Sequence, residues 1–422
     1  MNLIERDKQF VWHPFTQQKN MPQPIAITRG KGTLLFDENE NAYIDAISSW
    51  WVNLHGHAHP YIAEKLYEQA LQLEQVIFAG FTHKPAVELA EQLIAFLPDG
   101  FSKIFYSDNG STSTEVALKM AVQYWWNKEE GNSKRTKILA FKNAYHGDTF
   151  GAMSVSDRSV FTLAFHNMLF EVVFIDTPTN ENITSLQATI EEHGDTIAAF
   201  IFEPLVQGAG GLQMYEAALL DKLLVTAKAK EIICIADEVM TGFYRTGKPF
   251  AMNYMQQQAD IICLSKGLTG GTMALGVTTC NKKIYEAYVS DNALQTFFHG
   301  HSFTANPLGC TAALASLHLL QQQECLQQVA FICEQNAAFA QILRAKSGVK
   351  NVRVCGTILA FEIDKGKDEY LNNIGMLITQ KSLNMGVYLR PLGNTVYIMP
   401  PYCITKQELK KVYEVIEEIV KL

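Results

Sequence analysis

Ile232-Ile233-Cys234-Ile235-Ala236-Asp237-Glu238 is an apolar run of strand length that stops on two acids. A run without polar alternation reads as a strand buried on both faces, as in a parallel sheet covered by helices on both sides. A second run of the same shape, Ala259-Asp260-Ile261-Ile262-Cys263-Leu264-Ser265-Lys266-Gly267, ends on a lysine in a loop that also holds Gly270 and Gly271. Open α/β sheets bind ligands at the carboxyl ends of their strands, so Asp237 and Lys266 fall where a site belongs. Strands are expected at 103–107, 137–141, 198–202, 232–236, 261–264 and 276–279, with amphipathic helices at 113–126 and 219–229. Short strands alternating with helical patterns predict an α/β fold with a mostly parallel sheet. Toward the end, helical patterns over 307–346 lead into short strands at 356–363 and 396–399, and a last helix at 406–422 follows Thr405. The expected organisation is a large α/β domain over 50–305 and a smaller α+β domain built from 1–49 and 306–422.

Composition narrows the function. The chain has 422 residues, 48% of them hydrophobic and 18% charged, which suits a folded enzyme with a sizeable core. The formal net charge of −8 argues against a nucleic-acid partner, whose binding rests on Lys and Arg. No apolar run reaches the roughly 18 residues of a membrane helix, and Glu203 interrupts the stretch around 197–206. The charged start has no apolar core of a secretory signal, and the eight cysteines are scattered without a C-x-x-C pair. Reduced thiols and a cytoplasmic protein are expected.

A third loop completes the site. Asp108-Asn109-Gly110-Ser111-Thr112 joins a strand to a helix, and Thr112 with Glu115 fits a capping box. Backbone N–H groups, a glycine and hydroxyls at a helix start suit a phosphate. Taken singly, each loop has a plain reading: a capped helix, a structural ion pair, a surface lysine lying along apolar neighbours. Together, and with Lys266 following Asp237 by 29 positions, they are what pyridoxal 5'-phosphate requires. The lysine takes the aldehyde, the aspartate keeps the pyridine nitrogen protonated, and the helix start holds the phosphate.

Longer motifs then point to a family. Asp237-Glu238-Val239-Met240-Thr241-Gly242-Phe243-Tyr244-Arg245-Thr246-Gly247, Ser265-Lys266-Gly267 and His299 through Pro307 resemble the signature of the class III, fold type I, aminotransferases. Within that class, Trp12-His13-Pro14-Phe15, Ser48-Ser49-Trp50-Trp51, His55 through Pro60, Gly270 through Leu275, Arg390-Pro391-Leu392-Gly393 and Tyr397 through Tyr402 resemble the branch serving biotin biosynthesis. That branch transfers an amino group to 8-amino-7-oxononanoate in a ping-pong reaction. The resemblance implies that Lys266 anchors the cofactor and moves the proton, that Tyr145 stacks on the pyridine ring, and that Gly110 and Ser111 hold the phosphate. It implies a homodimer in which Gly300, His301 and Ser302 reach the partner's phosphate site, with His301-Ser302 standing where the family usually has Pro-Thr. For the acceptor it implies Arg390 on the carboxylate and Trp50, Trp51 and Tyr397 along the aliphatic chain. Members using S-adenosylmethionine as donor generally carry tyrosine at the position of Phe15, and others use lysine, so both donors stay open. The nearest alternative is a class III enzyme acting on ornithine, 4-aminobutyrate or a diamine.

Other signals were weaker. His55, His57 and His59 alternate, but no carboxylate or thiol cluster stands at ligand spacing and no metal is expected. Gly208 through Gly211 is not a dinucleotide fingerprint. Glu203 carries no expected catalytic role, and Arg245 is open between the donor site and a dimer-interface ion pair.

Overall fold

The computed structural model describes residues 1–365 and 374–421. In chain order the strands are β1 (Ile27–Lys31), β2 (Leu34–Asp37), β3 (Ala42–Asp45), β4 (Phe101–Ser107), β5 (Lys137–Phe141), β6 (Val172–Ile175), β7 (Ile197–Phe202), β8 (Val206–Gln207), β9 (Gln213–Met214), β10 (Ile233–Asp237), β11 (Ile261–Leu264), β12 (Gly276–Asn281), β13 (Val349–Cys355), β14 (Ile358–Ile363), β15 (Val387–Tyr388) and β16 (Thr395–Ile398). A seven-stranded sheet has the order β4-β12-β11-β10-β7-β5-β6. Its inner pairs are parallel, and β12 alone runs against its neighbours β11 and β4.

The central strands are apolar throughout because both faces are covered. All residues of β7 and β10 are buried. Successive side chains of a strand point to opposite faces, and β10 shows the result. Cys234 and Ala236 join the core of Leu220 and Leu224, while Ile233 and Ile235 join that of Val116 and Met120. Helices on both sides therefore hold the strand ends rigid, and it is the carboxyl ends of β4, β5, β7, β10 and β11 that carry Asn109, Tyr145, Glu203, Asp237 and Lys266.

Two smaller sheets come from the chain ends. One has the order β1-β2-β3-β15, the other β13-β14-β16. The first joins distant sequence: β15 lies parallel to β3, with Tyr388 opposite Asp45. The last helix, Lys406–Val420, starts on a Thr405–Glu408 capping box; Leu422 of the predicted helix lies outside the described residues. Among the described residues no helix is long and apolar enough to cross a membrane.

One local expectation is corrected. The helix expected over 113–126 spans Gly110–Lys128, because its cap is Asn109. The Asn109 side chain accepts from Thr112 N–H at 3.0 Å, and Thr112 Oγ1 accepts from Asn109 N–H at 3.1 Å. Glu115 takes no part and instead accepts from Gly151 N–H at 2.6 Å. The helix start thus moves three residues toward the sheet edge.

Candidate active site

Lys266 follows β11 in a tight turn and holds a left-handed backbone, φ 43°. Its Nζ lies 4.6 Å from the centre of the Trp51 ring. Burial favours the neutral amine and brings its pKa down to about 8, although Asp237 and Glu203 pull the other way. A lysine with this much free amine near neutral pH is a nucleophile.

Asp237 ends β10 and is nearly buried. One carboxylate oxygen accepts from Val239 N–H at 3.1 Å, and the other lies 2.7 Å from His146 Nδ1. A carboxylate only accepts, so the histidine proton sits on Nδ1. His146 Nε2 is buried without a hydrogen-bond partner among the described residues. Asp237 is thus oriented from behind by a group that the sequence did not single out.

The helix start leaves amides free. Asn109 occupies the N–H groups of Thr112 and Ser113, and among the described residues no protein acceptor faces those of Gly110 and Ser111. Gly110 packs so closely on Val239 that a Cβ would lie 2.8 Å from its Cγ1. Gly147, φ 134°, lies against Ser111, where a Cβ would fall 2.2 Å from Oγ. Both glycines let backbone close around the helix end, leaving two amides and a hydroxyl for an anion.

Tyr145 follows β5 in the loop above. Its N–H donates to Glu203 Oε1 at 3.1 Å, and burial raises its phenol further above the ordinary tyrosine value. Glu203 also accepts from Gly208 N–H at 2.7 Å; burial lifts its carboxyl to about 7. It ties two loops together rather than facing open space. A cleft of about 620 Å³ opens beside Tyr145 and Phe161 and runs to Glu362 and Thr395.

The tryptophans stand on a strained turn. Ser48, Ser49 and Trp51 have φ of 54°, 60° and 67°, each costing on the order of 1–3 kcal/mol for a residue with a side chain. Trp50 is 42% exposed. Phe15 packs edge-on to it at 5.6 Å and to Phe161 at 5.7 Å, and the Arg390 guanidinium lies 4.3 Å from its ring centre. Trp51 is buried and donates its indole N–H to the Tyr397 hydroxyl at 2.8 Å. Tyr397, 2% exposed, therefore stands behind Trp51. Phe161 joins the aromatic wall without having been anticipated, since its stretch has no periodicity.

The remaining residues sit elsewhere. Gly300 and Ser302 are exposed; the Ser302 carbonyl accepts from Gln75 at 2.6 Å, and Thr304 bonds His301. Arg245 is fully buried and donates to the carbonyls of Pro400, Asn53 and Trp51. It is enclosed within one chain and makes no ion pair among the described residues, which bears on the interface alternative and not on the donor-site one. His57 turns away to Asp45, while His55 bonds Ser316 and lies edge-on to His59 at 6.1 Å, so the three rings do not share one point.

A desolvated lysine amine, a braced strand-end aspartate and a helix start with free amides define a transaminase-type site on an α/β fold. Residues 15–420 match the aminotransferase class-III family, and the chain belongs to it. Among its curated relatives is the adenosylmethionine-8-amino-7-oxononanoate aminotransferase of Synechococcus elongatus, 46% identical over 97% of this chain and 98% of the relative. The enzyme of the same name from Staphylococcus aureus is 35% identical over 99% of this chain and 97% of its own. The solved structure of that aminotransferase from Methanocaldococcus jannaschii superposes with a TM-score of 0.95 at 33% identity, covering 99% and 98% of the two chains. An omega transaminase from Pseudomonas jessenii, solved in complex with PMP, gives 0.93 at 25% identity over 100% and 98%.

Proposed function

We propose that this class-III aminotransferase moves an amino group onto the 7-oxo carbon of 8-amino-7-oxononanoate, giving 7,8-diaminononanoate for biotin synthesis. Its cofactor is pyridoxal 5'-phosphate, its donor S-adenosylmethionine. The relatives' names support substrate and donor, and the residues at the sheet edge fit the cofactor. Gly110 and Ser111 offer amides to its phosphate, Asp237 an acceptor for its ring nitrogen, Tyr145 a ring to cover it, and Lys266 an amine for its aldehyde. The bound cofactor supplies an electron-withdrawing ring and a carbonyl that carries the amino group between donor and acceptor. Lys266, once free, takes and returns the proton at the substrate's reacting carbon, as a group of pKa about 8 can do near neutrality. His146 fixes the Asp237 carboxylate that would pair with the ring nitrogen, and the Trp51 indole covers the lysine amine.

The observation that carries the acceptor is Arg390. Its guanidinium is stacked on Trp50 at 4.3 Å, with no carboxylate partner among the described residues. Such a fork is ready for a carboxylate, and the aromatic wall of Trp50, Phe15 and Phe161 suits an aliphatic chain. Arg390→Ala should raise KM for the oxo acid about 10–100-fold, the worth of a charge-assisted pair of about 1.5–3 kcal/mol, with a smaller change in kcat. An unchanged KM would place the carboxylate elsewhere.

The direct test mixes cofactor-loaded protein with 8-amino-7-oxononanoate and either S-adenosylmethionine or lysine, and follows 7,8-diaminononanoate by mass spectrometry. Product with S-adenosylmethionine is expected. Product with lysine alone would make Phe15 a marker of donor choice, and product with neither would return the chain to the general ω-amine transaminases.

A homodimer and cytoplasmic location complete the reading. The exposed loop of Gly300, His301 and Ser302, flanked by exposed Phe298 and Phe303, suits a partner's phosphate site better than its own. A division into 50–305 and 1–49 with 306–422 is supported by strand origin, since the seven-stranded sheet draws only on strands between Phe101 and Asn281.

A further inference from the structure

The group that holds the strained tryptophan turn lies outside the site. Asp45 ends β3 and is fully buried. One oxygen accepts from Ser49 N–H at 2.6 Å, from the Ser49 hydroxyl at 3.1 Å and from His57 Nε2 at 2.9 Å. The other accepts from Ile47 N–H at 3.3 Å. Bonds to a carboxylate are the strong ones, and here they close the turn on which Trp50 and Trp51 stand.

The carboxylate is itself aimed. The Asn53 carbonyl oxygen accepts from Gly56 N–H at 2.7 Å, which turns its amino group onto His57 Nδ1 at 3.2 Å. A ring nitrogen facing an amino group accepts, so the ring proton sits on Nε2 and points at Asp45. The His57 backbone is pinned to Gly32 by bonds of 2.7 and 3.2 Å. Across the sheet Tyr388 lies opposite Asp45 in parallel register, and β15 runs on through Leu389 into Arg390. One strand end thus fixes both the tryptophans and the arginine that stacks on them.

We propose that Asp45, oriented by His57 and Asn53, is a positioning residue for acceptor specificity: it sets the Trp50–Trp51 turn and hence the span from Lys266 to Arg390 that admits a long oxo acid. This rests on Arg390 as the carboxylate anchor. The holoenzyme variants Asp45→Asn, His57→Leu and His57→Gln test it, with kcat/KM compared for 8-amino-7-oxononanoate and its methyl ester. Wild type favours the acid. Asp45→Asn lowers the acid-to-ester ratio about ten-fold, chiefly through KM of the acid, and His57→Leu about three-fold. His57→Gln, whose amide donates where Nε2 did, returns the ratio to within two-fold of wild type. The near-ultraviolet circular dichroism of the tryptophans changes in Asp45→Asn while the far-ultraviolet spectrum does not. In a Trp50→Ala background Asp45→Asn changes the ratio less than two-fold, because the two act as one unit. Equal losses on acid and ester, or a full Asp45→Asn effect without Trp50, overturn the proposal. If Asp45→Asn fails to fold, the two His57 variants decide. If wild type does not distinguish acid from ester, the Arg390 reading has failed, and that is visible before any variant of Asp45.

Discussion

Lys266→Ala is expected to lower turnover by about 10⁴-fold or more, the scale on which enzymes lose activity when the covalent group itself is removed. The absorbance of lysine-bound cofactor should vanish with it, while the melting temperature should change little, since the amine makes no ion pair among the described residues. Its contact is with the Trp51 ring, and an alanine there leaves Trp51 held by Tyr397. The amine has a second, independent signature. Burial lowers its pKa to about 8, against about 10.4 for a free lysine. A lowered value means the proton leaves at lower pH, so the reactive amine appears earlier on the pH scale. Competitive acetylation of cofactor-free protein, read peptide by peptide, should show Lys266 gaining reactivity through pH about 8 while ordinary surface lysines gain it above 10. Normal turnover in Lys266→Ala, or a midpoint shared with the surface lysines, would move the chemistry to another residue.

The parts of the molecule that were legible in the sequence are those whose surroundings are uniform. β10 and β11 sit mid-sheet with both faces covered, so each reads as a plain apolar run, and the observed bounds differ from the expected ones by a residue at most. β1, β2 and β3 are short and largely uncovered, with only Asp37, Ile44 and Asp45 buried along them. Their sequence has no pattern to betray a strand, and they were not anticipated. β6, a four-residue apolar run with a single buried residue, was not anticipated either. The helix start at Gly110 was placed late because Thr112 does cap, but as the third residue of the helix answering Asn109.

The site divides along a similar line. Asp237, Lys266 and Gly110 each terminate or follow a recognisable element, so position and chemistry together were enough to single them out. His146 and Asp45 act through residues 91 and 12 positions away. Nothing local in the chain marks a histidine as the brace of a distant carboxylate, and Asp45 ends a strand that was itself not anticipated. Arg245 misled in the opposite sense. An arginine just beyond Asp237 suggested a donor-site role or a dimer-interface ion pair, yet its charge is spent on three carbonyls that tie the Trp51–Asn53 segment to Pro400.

Asp237→Asn should cut kcat by about 10³-fold, within the 10²–10⁴ that a positioned proton-handling group contributes. The substitution keeps the shape and can keep the bond from Val239 N–H, so cofactor affinity and fold should survive in part. What it removes is the full negative charge that a protonated ring nitrogen pairs with, and with it the ring's pull on electrons at the reacting carbon. The same charge acts on Lys266, whose pKa Asp237 raises against the effect of burial. Removing it should therefore shift the acetylation midpoint of Lys266 below its wild-type value of about 8, in cofactor-free protein where no turnover is involved. A slow enzyme whose lysine titrates as in wild type would mean that the two groups do not share a site, and a lysine shifted downward in a fully active enzyme would mean that the ring nitrogen finds its partner elsewhere. Only the two changes together fit one aspartate, braced by His146, whose charge acts both on the Lys266 amine and on the ring nitrogen it would pair with.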